Sequence, residues 1–263
     1  MRFPPFRAPL SLIVLLVVLP LSSLAAPEWR ISKIALEDEA APGTAHTFDT
    51  FDVAREGAGH AGFTALLKTG GTQEWAAYRS SGASLGPIGV KGDTAPGTGG
   101  GTYSVFASFP SVGANGAVSF VAIVSGGTMG DKGLFLDDQG VDSALVVHGD
   151  FAPGSGTFTP SIPDLQLHGR NASGETVFLS TVTGGAATAG IFKRSSGGAF
   201  STLELVGDPA PGGGDFTVLG NPHIGDGGLV AFTSDVSSGE TSIKGLFSHS
   251  GGTTSKTWSP SFG

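Results

Sequence analysis

The sequence predicts an all-β protein made of four tandem repeats of about 57 residues, each a four-stranded antiparallel meander, with a small β-propeller as the architecture that suits them best. Three observations predict it. A turn phrase returns at a steady period, two further marks keep that period, and apolar residues alternate with period two inside every copy.

The phrase is G-D-x-A-P-G. It runs from Gly92-Asp93 to Pro96-Gly97, from Gly149-Asp150 to Pro153-Gly154 and from Gly207-Asp208 to Pro211-Gly212, and a degenerate DEAAPG ends at Pro42-Gly43. The four prolines are 54, 57 and 58 residues apart. A glycine followed four residues later by phenylalanine gives the second mark, at Phe63, Phe120, Phe178 and Phe232. Gly-aliphatic-Phe gives the third, at Phe135, Phe192 and Phe247, and Tyr78 stands in its place in the first copy. These seven phenylalanines are the expected core. Around the second mark, alternate residues such as Val118, Phe120, Ala122 and Val124 line one face of a strand.

Three more extended segments complete each copy: TYSVFASF before that strand, GLFLDD after it, and ALVVHGD or LELVGD at the end. The copies are placed at approximately 31–90, 91–147, 148–206 and 207–263. None can bury its apolar face alone, so each must stack on a neighbour. Helix has little room among the glycines. The segment ISKIALEDEAAPG holds the place of FSTLELVGDPAPG, so it is expected to be an extra strand that could pair with the last unit and close a ring.

Residues 1–25 have the pattern of a secretory signal peptide: Arg2 and Arg7, an apolar run from Leu10 to Leu19, then small residues up to Ala25. The expected mature chain is therefore one domain, 26–263, secreted or extracytoplasmic and outside the membrane once the leader is gone. The formal charge of −8 leaves no basic patch to neutralise phosphates, which argues against nucleic acid. There is no cysteine, so stability must come from packing rather than disulfides. Forty-four glycines suggest low complexity, but 18 regularly placed phenylalanines argue against disorder.

The phrase reads first as turn chemistry. Gly tolerates positive φ, Asp accepts backbone N–H bonds, and Pro presets a turn, so one phrase per unit reverses the chain. The alternative is a hard-cation site such as Ca²⁺, if Asp93, Asp150, Asp208 and Glu39 converge in a ring. No other cofactor is implied. The six histidines lack zinc-site spacing, the Asp137-Asp138 pair and the run Glu37-Asp38-Glu39 read as solvated turns before they read as acid/base pairs, and GTGGG lacks the Lys of a phosphate loop. Asn171-Ala172-Ser173 matches a glycosylation acceptor.

The recurrence of GDTAPGTGGGTY, NGAVSFVAIV and KGLFLDDQG behind a leader resembles uncharacterised bacterial exported proteins built from tandem G-D-x-A-P-G repeats. The resemblance covers the mature chain and implies a β-propeller-type surface or secreted protein with no established catalytic residues. Many such proteins carry a sorting segment, whereas TSKTWSPSFG has neither a hydrophobic tail nor an LPxTG signal, so no C-terminal anchor is expected. The expected function is a non-catalytic module that binds an extracellular polysaccharide or surface protein. The alternatives are a structural surface array and a carboxylate-based hydrolase such as a glycosidase. Ligand-binding residues and oligomeric state are not legible here.

Overall fold

The computed structural model describes residues 33–258, apart from positions 53, 58, 83, 108, 114, 155, 166, 167 and 240. The leader lies outside the described residues. Four antiparallel sheets of five strands follow one another along the chain. Sheet 1 holds β1 (Thr47–Phe51), β2 (Arg55–Gly57), β3 (His60–Thr69), β4 (Thr72–Ser81) and β5 (Ser84–Val90). Sheet 2 holds β6 (Thr102–Phe106), β7 (Ser111–Val112), β8 (Val118–Ser125), β9 (Lys132–Asp138) and β10 (Val141–Val147).

Sheet 3 holds β11 (Thr157–Phe158), one helical turn α1 (Ile162–Leu165), β12 (His168–Arg170), β13 (Thr176–Thr183), β14 (Ala189–Arg194) and β15 (Phe200–Leu205). Sheet 4 holds β16 (Asp215–Leu219), β17 (His223–Ile224), β18 (Val230–Ser238), β19 (Thr241–Ser250) and β20 (Thr253–Trp258). Among the described residues no helix is long and apolar enough to cross a membrane.

The fifth strand is a fragment of the first. In each sheet the first two strands pair with the same third strand, as β6 and β7 both pair with β8, and in sheets 1, 2 and 4 the first is the longer. In three copies the break holds a buried proline, Pro110, Pro160 or Pro222, which cannot donate to the ladder. In the third copy the break also holds α1, where Ser161 and Asp164 cap each other's backbone N–H groups.

Three aromatic rings stand at equivalent places in every sheet. Phe63 sits opposite Tyr78, Phe120 opposite Phe135, Phe178 opposite Phe192 and Phe232 opposite Phe247, all of them buried. The third ring comes from the first strand: Phe48, Tyr103, Phe158 or Phe216. In sheets 2 to 4 it stands edge-on to its partner at 84°, 84° and 85°, with centroids 4.8 to 5.1 Å apart. Such edge-to-face pairs contribute about 1 kcal/mol each beyond burial.

We call the trio side of a sheet its front. The rear of each sheet covers the front of the next. Ala77 and Ile88 of sheet 1 pack on Tyr103, Phe120 and Phe135; Val121, Leu134 and Leu145 of sheet 2 pack on Phe158, Phe178 and Phe192; Ile191 of sheet 3 packs on Phe216, Phe232 and Phe247. Buried polar links cross the same boundaries. Arg79 pairs with Asp137, Ser119 Oγ lies 2.7 Å from His168 Nε2, and Glu204 meets His249 and Thr254.

The series ends at sheet 4. The extra ring-closing strand expected ahead of the first unit is not formed among the described residues: 33–36 carry no strand, Ile31 and Ser32 lie outside the described residues, and β20 already occupies the fourth-strand place beside β19. With its own ladder partner supplied by the fourth copy, sheet 4 has no opening on β19 for a strand from the N-terminal side.

Candidate functional site: the cavity shared by four sheets

The G-D-x-A-P-G phrase joins the last strand of one sheet to the first strand of the next, and it is built alike at every junction. The carboxylates of Glu39, Asp93, Asp150 and Asp208 accept the backbone N–H three residues earlier, from Leu36, Val90, Val147 and Leu205, at 3.1, 2.9, 2.8 and 2.8 Å. The residue before each, Asp38, Gly92, Gly149 or Gly207, donates its N–H to the carbonyl of the coming first-strand aromatic at 2.8 Å. That aromatic returns its own N–H to the carbonyl of the carboxylate residue at 2.8 to 3.0 Å.

The alanine of the phrase, Ala41, Ala95, Ala152 or Ala210, is buried against the following trio. Gly43, Gly97, Gly154 and Gly212 close the turn at φ between 74° and 97°. Each of the four carboxylates is thereby tied to the backbone of its own turn, at a strand end for Asp93, Asp150 and Asp208. They are not brought together, and no group of three His, Asp or Glu side chains placed to hold a metal occurs among the described residues. Convergence on a hard cation needs several free oxygens at one point, which this arrangement does not supply.

Asp137 and Asp138 follow each other in a strand and so project to opposite faces. Asp137 is buried on Arg79 and on the N–H of Gly140, and burial raises its carboxyl pKa in spite of the arginine. The Asn171 acceptor is closed. Its buried amide donates to Glu175 Oε2 at 2.9 Å and its oxygen accepts the Glu175 N–H, leaving nothing for a glycan to reach.

Ser119 and His168 have the look of a nucleophile and its base. The pair is instead a packed link between sheets. Ser119 is fully buried, and His168 Nδ1 faces the Leu165 carbonyl at 2.8 Å rather than a carboxylate. Burial lowers the imidazole pKa to about 4, so His168 is neutral near pH 7, with Nδ1–H donating to Leu165 and Nε2 accepting from Ser119.

What the repeats do bring together is the set of short edge strands. β2 lies beside β7, β7 beside β12, and β12 beside β17. A Cβ on Gly57 would come within 2.9 Å of the Val112 carbonyl oxygen, and one on Gly169 within 3.2 Å of the Ile224 nitrogen, so glycine permits the close approach. The four strands wall one cavity of about 310 Å³, which takes residues from every sheet, among them Arg55, Glu56, Phe109, His168, Asn221 and His223.

Two features mark the wall. Phe109 adopts φ 72°, a left-handed conformation rare for a bulky residue. The Arg55 guanidinium lies over its ring, 5.8 Å from the centroid, a cation–π contact. Sequence reasoning did not find these residues. The prolines that detach the short strands were visible, as F-P at Phe109 and N-P at Asn221, but the variable distance from the phrase to the break hid their common place.

Comparison with known proteins adds a family and no activity. No curated protein matches the chain. A family model described as a family of unknown function, DUF7453, matches residues 25–258, and by that match the chain belongs to this family.

Proposed function

We propose that this chain is an exported, non-catalytic binding module, that its four sheets act as the blades of a small β-propeller, and that its ligand seat is the shared cavity. One observation carries the reading: each sheet sends a short edge strand to the same cavity, and the wall there holds Phe109 in a strained conformation under Arg55. Strain of about 1–3 kcal/mol is a feature that clusters at ligand sites. The volume lies at the lower end of the range for small-molecule pockets, which suits one sugar residue or the end of a longer chain. An aromatic face beside arginine, asparagine and histidine donors is suited to a pyranose ring, so an extracellular polysaccharide is the favoured partner and a surface protein the other.

The test uses the mature chain, 26–263, and a panel of extracellular polysaccharides, read by thermal unfolding. A glycan at about 100 times its dissociation constant adds about 2.7 kcal/mol of stability. We expect such a rise for some member of the panel, and its loss in His223→Trp, which fills the cavity from an exposed position. Binding that survives His223→Trp, or no binding to any glycan or surface extract, defeats the assignment of this cavity. Export is tested separately by fractionation: a chain retained in the cytoplasm with residues 1–25 still attached would count against it.

A further inference from the structure

We propose that the shared cavity is built for an anionic sugar, whose carboxylate or sulfate group is held by Arg55. The inference rests on the reading of this cavity as the ligand seat and names the chemistry that the seat selects. It starts from the register of the short edge strands. Arg55 pairs with Gly62, Ser111 with Ser119, Gly169 with Val177 and His223 with Ala231, in each case the residue just before the second-mark phenylalanine. The four are therefore one position of the repeat, and all four line the cavity.

What the repeat places there differs from sheet to sheet. Ser111 and Gly169 are small and leave space, and a Cβ at Gly169 would already crowd the Ile224 nitrogen at 3.2 Å. Arg55 and His223, both exposed, bring a guanidinium and an imidazole, groups that donate N–H bonds. None of the four is acidic. The acid of the wall, Glu56, follows Arg55 in β2 and so projects to the opposite face of that strand.

Charge points the same way. The chain has 22 acidic residues against 14 basic ones, yet this wall holds two arginines, Arg55 and Arg170, against one carboxylate. Among the described residues no ion pair holds either arginine, whereas Arg79 is spent on Asp137. Arg170 donates to Thr176 Oγ1 at 3.0 Å and keeps a buried Nε without a partner. The Arg55 guanidinium rests on the Phe109 ring, a contact that orients its plane and leaves the N–H groups at its edge open. That planar fork matches two oxygens of a carboxylate or sulfate. In a chain of formal charge −8, such a wall attracts an anion that the rest of the molecule repels.

Calorimetry on the mature chain with two pairs of probes tests the proposal: oligogalacturonate against its methyl ester, and sulfated against plain dextran oligomers. We expect one acidic probe to bind at least tenfold more tightly than its neutral partner, and the pair that shows the preference tells whether carboxylate or sulfate is held. Arg55→Gln, which alters an exposed side chain, should abolish the preference, Arg55→Lys should keep part of it, and His223→Trp should remove binding altogether. Neutral probes bound as tightly as acidic ones, or a preference that Arg55→Gln leaves unchanged, overturn this inference, while loss of that binding in His223→Trp still upholds the seat. Acidic binding that survives His223→Trp overturns the seat and this inference with it. No binding of either acidic probe overturns the anionic assignment alone and leaves the seat to the wider glycan panel.

Discussion

Of the two tyrosines in the chain, one has a partner and one does not. Tyr78 donates to the Pro42 carbonyl at 3.3 Å, whereas the buried Tyr103 hydroxyl has no partner, and burial drives its pKa far upward. The same place in sheets 3 and 4 is held by Phe158 and Phe216, which bury the ring with no hydroxyl to satisfy. Tyr103→Phe is therefore expected to stabilise the protein by about 1 kcal/mol, read as a higher urea midpoint at unchanged slope. Gly149 is the opposite case. It sits at φ 99° with open space where a Cβ would stand, so Gly149→Ala meets no neighbour and loses about 1–2 kcal/mol to backbone conformation alone. An unchanged midpoint would show that this junction is not held at positive φ in solution. Asp38, at φ 67° in the degenerate copy, shows the strain that a side chain carries there.

At the scale of the element, position in the series of sheets decides what a given side chain is worth. Leu134 and Leu246 occupy the same place in GLF, but the first is covered by sheet 3, whereas the second is 37% exposed and no further sheet among the described residues covers it. Leu134→Ala should cost about 3 kcal/mol through lost burial and the cavity left behind, and Leu246→Ala under about 1 kcal/mol in the monomer. Equal costs would mean that sheet 4 is covered in solution. The seven phenylalanines of the second and third marks were legible because they stand at fixed distances from a glycine. The first-strand aromatics were not: they follow the proline of the phrase by six, seven, five and five residues, and that loop variation hid a ring every sheet requires.

For the whole molecule, the buried His168 governs the response to acid. Its pKa falls from 6.5 in the unfolded chain to about 4 in the fold, so between those values the unfolded chain binds more protons. The associated stability is complete above pH 6.5 and is lost as the pH falls through 4, by about 3 kcal/mol in all. Asp142 runs the other way, pushed up to about 6 first by partial burial and then by the charges of Asp137 and Asp93, but it stands at an exposed position where solvent screens the effect. The melting temperature should drop from pH 6.5 to 4, and His168→Gln should flatten that drop. A wild-type curve flat across this interval would refute the assignment.

The sequence by itself determined what is local and repeated: strands of period two, a turn phrase between copies, one ring per marked strand. Those features depend on backbone conformation and on the alternation of side chains, both of which are written in neighbouring residues. Tertiary structure alone decided which copies meet. That the four motif carboxylates stay apart, that Arg55 and Phe109 share a cavity with His223, and that a Ser–His pair is a sealed link all depend on how sheets stack. So does the exposure of Leu246, because a repeat pattern fixes what each unit offers its neighbour but not which unit comes last in the stack.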